Sequence, residues 1–198
     1  SHLSVTDMTR DSEGFMWFGS WNGINRFDGH SFVSYKSGAG DMSRLKNDRI
    51  DQVVEGRDHM LWLKAYDMEI YRFDKRTEAF LSVSSLLHSG KKPSPGFDRI
   101  LAVTDGRVWL RSLKDGIYCI AESDVAEGHF LHYSADAPVG FRLPGNAVNF
   151  FHQDKQKRIW IGTASGLVGL ESQQGVYRVF PANNTLTGHS FTTVAEDS

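Results

Sequence analysis

The sequence predicts an all-β protein built from repeated four-stranded antiparallel units, and three observations support this fold class. First, four of the five tryptophans recur at intervals of roughly 45–50 residues. Second, each of these tryptophans lies within a set of four short apolar segments that occur in the same order each time. Third, the segments are only about four to seven residues long and are bounded by Gly, Asp, Asn or Ser, which favours strands over helices.

The first segment of each repeat has two apolar residues three positions apart, followed by Asp or Gly. Its four copies are Val5/Met8/Asp11, Ile50/Val53/Gly56, Ile100/Val103/Gly106 and Val148/Phe151/Asp154. This spacing differs from the strict alternation of a regular strand. The segment is assigned as a strand because it is too short for a helix. A fifth copy, Phe191/Val194/Asp197, is expected to begin a further unit.

The second segment is centred on the repeated tryptophan and is apolar on both faces, as expected of a strand that lies between packed sheets. We therefore expect these side chains to form the core between units. They are Trp17, Trp62, Trp109 and Trp160. Cys119, in a later apolar segment, is expected to be a buried thiol.

Two further apolar segments complete each repeat. The third segments contain Ile24/Phe27, Ile70/Phe73, Ile117/Ile120 and Leu167/Leu170. The fourth segments contain Phe32/Tyr35, Phe80/Val83, Phe130/Tyr133 and Tyr177/Phe180. Four strands per unit at this period are typical of a β-propeller, whose blades are four-stranded sheets, whereas a leucine-rich solenoid has about half this period.

The repeats predict blades at about 4–36, 49–84, 99–134 and 147–181, with the start of a fifth at about 190–198. A closed ring of four blades has no place for a lone strand of a fifth blade. The chain is therefore expected to be a fragment of a larger propeller. Such a fragment exposes sheet faces and strand edges, from which we expect self-association as a homodimer.

Turn residues separate the segments. Asp11 can hydrogen-bond its own turn, and Gly14 can adopt a positive φ. Asp28-Gly29, between the third and fourth segments of the first repeat, is a strong hairpin signal. In the third repeat Gly106 is much closer to Trp109 than the corresponding residues are elsewhere, so the first hairpin of that repeat should be tight.

Composition and motifs exclude several functional classes. A formal net charge of −2 and a pI near 6.4 argue against general binding to nucleic acid or membrane surfaces. The single cysteine cannot form an internal disulfide or a multi-thiolate metal site. His129 and His132 have an HxxH spacing, but on a strand they would point to opposite faces. Since no phosphate loop, nucleophile elbow or zinc signature is present, we predict no cofactor, metal or catalytic residue.

The first and fourth repeats resemble a known family. Residues 11–20, Asp-Ser-Glu-Gly-Phe-Met-Trp-Phe-Gly-Ser, followed by 23–29, resemble the two-component regulator propeller repeat. Residues 154–163, followed by Gly166-Leu167, are similar to the same motif. The second and third repeats depart from it, with Lys64-Ala65 and Arg111-Ser112 in place of the usual Gly-Thr pair and Gly56 in place of the turn Asp.

The resemblance extends over essentially the whole chain and points to the amino-terminal periplasmic sensor region of Bacteroidetes-type hybrid two-component histidine kinases. It implies an extracytoplasmic propeller of about seven blades, followed by an immunoglobulin-like domain, a membrane span, and cytoplasmic kinase, receiver and DNA-binding parts. It also implies recognition of glycan-derived oligosaccharides and signalling as a dimer. From this resemblance we expect the segment itself to have no enzymatic activity and to bind no nucleic acid. We expect it to be attached to the membrane only through other parts of a parent histidine kinase. The repeat motif is architectural, so no ligand-binding residue transfers from the family.

Topology predicts where a ligand would bind. In a four-stranded meander, the turn between the second and third strands lies at the same end as the linkers between units, and long loops on a rigid scaffold often bind ligands. That turn carries Trp21 in the first repeat and Tyr66 in the second, and flat aromatic side chains suit stacking on sugar rings or on a partner surface. The linkers add residues that can hydrogen-bond a ligand: Arg44, Lys46, His88, Lys91, Lys92, Arg142 and His189. Alternatively, the two aromatic side chains pack beneath the linkers and the basic residues are solvated loop charges.

Two other functions compete with ligand sensing. A glycan-active propeller enzyme of sialidase or lyase type is disfavoured, because sialidase Asp-boxes place their Gly one residue closer to the Asp than Gly14 is to Asp11. The convergent arginines and Tyr/Glu nucleophile pair of such enzymes are also not visible. A protein-interaction propeller of WD40 type is disfavoured because the Gly-His and Trp-Asp motifs are missing.

Overall fold

The computed structural model describes residues 4–36, 45–87, 95–180 and 190 of the chain. Within these residues, sixteen strands form four antiparallel sheets, each of four consecutive strands. The first sheet consists of β1 (Val5–Arg10), β2 (Met16–Ser20), β3 (Gly23–Phe27) and β4 (Phe32–Tyr35). The second consists of β5 (Ile50–Glu55), β6 (Met60–Ala65), β7 (Ile70–Asp74) and β8 (Ala79–Ser82). The third consists of β9 (Arg99–Thr104), β10 (Arg107–Ser112), β11 (Gly116–Ala121) and β12 (Leu131–Tyr133). The fourth consists of β13 (Val148–Gln153), β14 (Ile159–Thr163), β15 (Gly166–Gln173) and β16 (Val176–Phe180).

These sheets confirm the predicted all-β fold with four-stranded antiparallel blades. Two short helical turns accompany them, α1 (Val83–Leu86) and a 3₁₀ helix at Glu122–Glu127. No helix in the described part of the chain is long and apolar enough to cross a membrane. The predicted fifth copy of the first segment, Phe191/Val194/Asp197, lies outside the described residues.

A shared irregularity explains the three-residue spacing in the first segments. The register of the first strand shifts near its start in three sheets, between Val5 and Asp7, Ile50 and Gln52, and Val148 and Phe150. A β-bulge of this kind adds one residue to the strand, so apolar residues three positions apart return to the same face. Ile50 and Val53 of β5 are accordingly both buried.

The chain divides into two compact units, one of residues 1–110 and 120–130, the other of 111–119 and 131–198. In the first unit, Trp17 is fully buried between the first two sheets. Its ring stacks on Tyr35 at 5.9 Å between centroids and meets Phe73 of the second sheet edge-on at 5.7 Å. Trp62 and Trp109 are also fully buried, as their repeat position predicts.

In the second unit, the Tyr133 hydroxyl donates to the Tyr177 carbonyl at 2.7 Å, and Cys119 is buried as expected. Trp160 departs from the expected core position, because it is only partly buried. Its ring meets Phe180 of its own sheet at 5.8 Å. The corresponding face of the first sheet is covered by the second sheet, but no sheet follows the fourth among the residues that the structure describes.

Two turns show how local sequence sets the hairpins. The β9–β10 hairpin has the two-residue turn Asp105-Gly106, with φ of 51° and 70°, so the tight hairpin predicted for the third repeat is confirmed. Gly23, which opens β3, has φ of 94°, and a Cβ at this position would collide with the Tyr35 carbonyl oxygen. Only glycine therefore fits this turn without strain.

Candidate functional site

The first unit carries a row of three side chains in which the half-buried Arg49 contacts the exposed rings of both Trp21 and Tyr66. The Arg49 Cζ atom is 5.0 Å from the centroid of the Trp21 ring and 4.2 Å from that of Tyr66. Trp21 is 61% exposed and Tyr66 57%, so neither is buried beneath a linker of the described chain. We term Trp21, Arg49 and Tyr66 the aromatic ledge.

Strand pairing determines the position of the ledge. Trp21 and Tyr66 each follow the second strand of a sheet, as the topology predicts. The Tyr66 N–H donates to the Arg49 carbonyl at 2.9 Å, which holds Arg49, the residue before β5, beside Tyr66. In the first sheet the Trp21 N–H makes the same bond to the Ser4 carbonyl at 3.2 Å. Arg49 therefore occupies a position that recurs in the repeat.

The Arg49 guanidinium is held by a chain of charges anchored in the second sheet. Its Nε donates to Asp51 Oδ1 at 3.0 Å, and Asp51 Oδ2 accepts from Lys64 Nζ at 2.7 Å. The Lys64 side chain is only 10% exposed. None of the described residues accepts a hydrogen bond from the terminal nitrogens of Arg49.

The ledge offers a ligand two kinds of contact. The exposed aromatic faces can stack on the C–H faces of sugar rings or on other flat apolar surfaces. The guanidinium supplies N–H donors that suit hydroxyl or carboxylate oxygens. Because the guanidinium also contacts both rings, it restricts their rotamers and lowers the entropy lost when a ligand binds.

The other predicted linker residues do not join this ledge within the described structure. The Lys46 backbone N–H donates to the Tyr71 hydroxyl at 3.2 Å, and its side chain is exposed. Arg142 belongs to the second unit, where its Nε donates to the Ala137 carbonyl at 3.0 Å. The remaining candidates lie outside the described residues: Arg44, His88, Lys91, Lys92 and His189.

Arg49 is a candidate that sequence reasoning missed. It is the last residue of a linker, and no local pattern distinguishes it from the other basic residues there. The repeat contains a usable signal, because the residue before the first strand pairs with the residue after the second strand of the same sheet. An alignment of the repeats by that pairing would have placed Arg49 beside Tyr66.

A second polar cluster joins the first two sheets. Lys75 Nζ lies 2.9 Å from Asp11 Oδ2, and the two side chains are only 4% and 0% exposed. Asp11 Oδ2 also accepts from Trp17 Nε1 at 2.8 Å, and Oδ1 accepts from the backbone N–H groups of Glu13 and Phe15. Burial acts to raise the pKa of Asp11, but the hydrogen bonds from Lys75, Trp17 and the backbone outweigh it and hold this pKa below its ordinary value. These charges stabilise the fold and are not exposed to a ligand.

The two histidines with HxxH spacing make unrelated contacts. His129 Nδ1 is 3.2 Å from the Glu127 carboxylate, and His132 Nε2 is 2.6 Å from the Asp115 carbonyl oxygen. Within the described ranges, no group of three His, Cys, Asp or Glu residues could hold a metal ion.

Repeated four-stranded antiparallel meanders, each with a tryptophan in the second strand that is fully buried in the first three sheets, are typical of a β-propeller. Residues 1–22 and 142–165 match the family described as two component regulator propeller. This match confirms the resemblance of the first and fourth repeats to that motif. No curated protein sequence matches the chain significantly.

Solved structures with a similar fold include extracellular domains. One, assigned to a hybrid two component system of B. thetaiotaomicron, has a TM-score of 0.60 and 22% identity, over 94% of this chain and 23% of that chain. A second such domain from B. thetaiotaomicron has a TM-score of 0.57 and 19% identity, over 95% of this chain and 30% of that chain. PorZ, an essential surface component of the type-IX secretion system of Porphyromonas gingivalis, has a TM-score of 0.56 and 16% identity, over 90% of this chain and 26% of that chain. The chain thus spans only a minor part of each of these proteins, and identities this low establish the fold alone.

Proposed function

We propose that the chain is part of the extracytoplasmic ligand-sensing propeller of a hybrid two-component sensor kinase, and that the aromatic ledge binds a glycan-derived oligosaccharide. The observation that carries this proposal is the exposed stack of Trp21, Arg49 and Tyr66 on a scaffold whose repeats match the two component regulator propeller. Large aromatic side chains are normally buried. Two exposed aromatic rings in contact with one guanidinium therefore favour a role in ligand binding over a role in core packing.

The comparisons support the cellular setting of the proposal. Similar structures are extracellular domains assigned to hybrid two component systems, which favours an extracytoplasmic, periplasmic location for this propeller. Signalling across the membrane would be performed by a parent histidine kinase that contains the propeller. The segment itself would bind ligand without turning it over.

Self-association is a further part of the proposal. The first sheet has an apolar surface with Met8 63% exposed and Phe32 61% exposed. Phe32 stacks on Phe27 at 4.6 Å and lies 5.9 Å from Phe18, so the aromatic surface is continuous. An apolar face of this kind favours contact with a second copy or with another blade of the same propeller.

A calorimetric titration of the purified chain with a panel of neutral plant and host oligosaccharides tests the sensing proposal. We expect binding by at least one of them, and we expect Trp21→Ala and Tyr66→Ala to weaken it by about tenfold or more, since truncation of a central Trp or Tyr contact in a binding site commonly costs about 2 kcal/mol. Leu113→Ala, which removes an equally exposed apolar side chain at the corresponding turn of the third repeat, should leave binding unchanged.

The same experiment separates the competing functions. Cleavage of a bound oligosaccharide into products would favour an enzyme, and binding of a protein partner with indifference to all glycans would favour an interaction module. Oligosaccharide binding that survives loss of both ledge aromatic residues would contradict the ledge as the binding site.

A further inference from the structure

A cavity of about 350 Å³ lies in the first unit, at the end of the second sheet opposite the aromatic ledge. It is formed by the β5–β6 turn, the β9–β10 turn and the start of the 3₁₀ helix. Its walls include Arg57, Met60, Arg72, Gly106, Arg107 and Glu122. We propose that this cavity, which we term the arginine pocket, binds a small hydroxylated ligand through a carboxylate or sulfate group. This proposal does not depend on the function of the ledge.

A shortened hairpin leaves this space open. Between the first and second sheets, the corresponding region is filled by Lys75, which contacts Asp11, and by His59 of the β5–β6 turn, which contacts Glu13. In the third sheet the equivalent turn is only Asp105-Gly106. Because that turn is too short to supply a side chain equivalent to His59, no side chain of the third sheet fills the cavity.

Two arginines in the pocket have no ion-pair partner among the described residues, namely Arg57 and Arg72. The Arg57 side chain lies across Gly106, and a Cβ on Gly106 would come within 2.9 Å of the Arg57 Nη1 atom. Arg72 lies opposite Trp62 on neighbouring strands and so shares the face of the second sheet on which Trp62 is buried. A guanidinium without a carboxylate partner is well suited to bidentate binding of a carboxylate or sulfate.

Glu122 supplies an acceptor on the wall of the same pocket. Its Oε1 accepts from Trp62 Nε1 at 2.9 Å and from the Arg57 backbone N–H at 3.1 Å. Its Oε2 is buried and has no hydrogen-bond partner in the described structure. Because Glu122 lines the pocket, a small rotation of its side chain would present this oxygen to a ligand donor, and satisfying a buried acceptor is favourable.

The charges and the size together define the ligand. Asp58 and Asp105, both exposed, also line the pocket, so the site is not simply cationic and would disfavour a bare polyanion. One anionic group for the arginines and one hydroxyl for Glu122 satisfy both sets of side chains. The volume falls in the range of about 300–1,000 Å³ that is usual for small-molecule sites. A single acidic sugar ring has this chemistry and fits this volume.

Titration of the full chain with sodium glucuronate, sodium sulfate and neutral glucose tests the proposal. We expect glucuronate to bind, glucose not to bind, and added NaCl to weaken the interaction. Arg57→Ala should weaken binding by about tenfold, as expected for loss of a charge-assisted hydrogen bond. Arg57→Lys, which keeps the charge but loses the bidentate geometry, should retain part of the affinity. The matched control is Arg76→Ala, an exposed arginine of the same sheet outside the pocket.

The three ligands distinguish a carboxylated ligand from a sulfated one and from a neutral sugar. Binding of glucuronate alone supports a carboxylated ligand, and binding of sulfate alone supports a sulfated one. The proposal is overturned if neither anion binds, if glucose binds equally well, or if Arg76→Ala weakens binding as much as Arg57→Ala. Since the ledge is tested with neutral oligosaccharides and with Trp21 and Tyr66 variants, failure of one proposal leaves the other standing.

Discussion

Glu122, which follows the third strand of the third sheet, accepts a hydrogen bond from the indole of Trp62 in the second sheet at 2.9 Å. In the first sheet the equivalent indole, that of Trp17, donates to its own turn residue Asp11 at 2.8 Å. The second repeat has Gly56 in place of the turn Asp, and a Cβ there would collide with Glu122 Oε1 and come within 2.8 Å of the Trp62 indole. A carboxylate from the next blade has therefore replaced the missing turn carboxylate.

Because Glu122 takes the place of the missing turn carboxylate at Gly56, mutations at these two positions are expected to compensate for each other. Gly56→Asp alone places two carboxylates together and also crowds the Trp62 indole, so it should destabilise the protein. Glu122→Lys alone removes the acceptor of the Trp62 indole. The double variant places Asp and Lys at the positions equivalent to Asp11 and Lys75, because Lys75 also follows the third strand of its sheet, and it relieves the charge conflict while the crowding of Trp62 remains. We expect a favourable coupling of about 1–2 kcal/mol between the two sites in urea unfolding. Additive destabilisation would show that the two positions do not compensate for each other.

The buried ion pair between the first two sheets predicts a large effect for loss of one partner. Lys75→Met leaves the Asp11 carboxylate buried without its cation, and we expect a loss of about 3–5 kcal/mol. Adding Asp11→Asn to this variant should recover part of the stability, because the uncompensated charge is removed. Arg76→Ala, at the exposed neighbouring position, should change stability by no more than about 0.5 kcal/mol. Thermal unfolding followed by circular dichroism measures all four proteins, and equal effects at Lys75 and Arg76 would contradict the role of the pair.

Acid should destabilise the protein through Asp11. Burial favours the protonated carboxyl, but the hydrogen bonds of the folded state hold the pKa of Asp11 below the ordinary value of 3.8. A carboxyl with a lowered pKa contributes stability above its unfolded-state pKa and loses that contribution as the pH falls through the folded-state value. The unfolding temperature should therefore fall as the pH drops below about 4. In Asp11→Asn this fall should be shallower, and an unchanged acid slope would contradict the assignment.

The Asp28-Gly29 hairpin predicts a measurable carboxyl titration. The backbone N–H groups of Ser31 and His30 and the Ser31 hydroxyl donate to the Asp28 carboxylate and lower the pKa of Asp28 to about 2. Ser31→Ala removes only the hydroxyl donor, so this pKa should rise while staying below 3.8. NMR titration of the side-chain carboxyl carbon gives both values. A wild-type pKa at the ordinary value would show that the turn does not hold these hydrogen bonds in solution.

The features predicted from sequence depend on residues that are close in the chain. The strand order, the tight hairpin at Asp105-Gly106 and the placement of Trp21 and Tyr66 after second strands all follow from the repeat and from turn chemistry. The three-residue spacing was ambiguous because a β-bulge, which has no distinct residue signature, alters the alternation.

The missed features are contacts between sheets. Glu122 and Trp62 are 60 residues apart, and Lys75 and Asp11 are 64 apart, so no local pattern identifies either pair. Whether Trp21 and Tyr66 are exposed could not be decided from sequence for the same reason. Their exposure depends on how the linkers run and on the position of Arg49 between the rings.

NMR of the tryptophan indole N–H groups is the most direct test of whether a ligand binds at the aromatic ledge. The Trp21 indole is assigned with a Trp21→Phe variant, and the chain is then titrated with the oligosaccharide panel. We expect the Trp21 resonance to shift on binding and the resonances of the buried Trp17, Trp62 and Trp109 to stay unmoved. Binding that shifts other indoles and leaves Trp21 unchanged, or a complete absence of shifts across the panel, would contradict it.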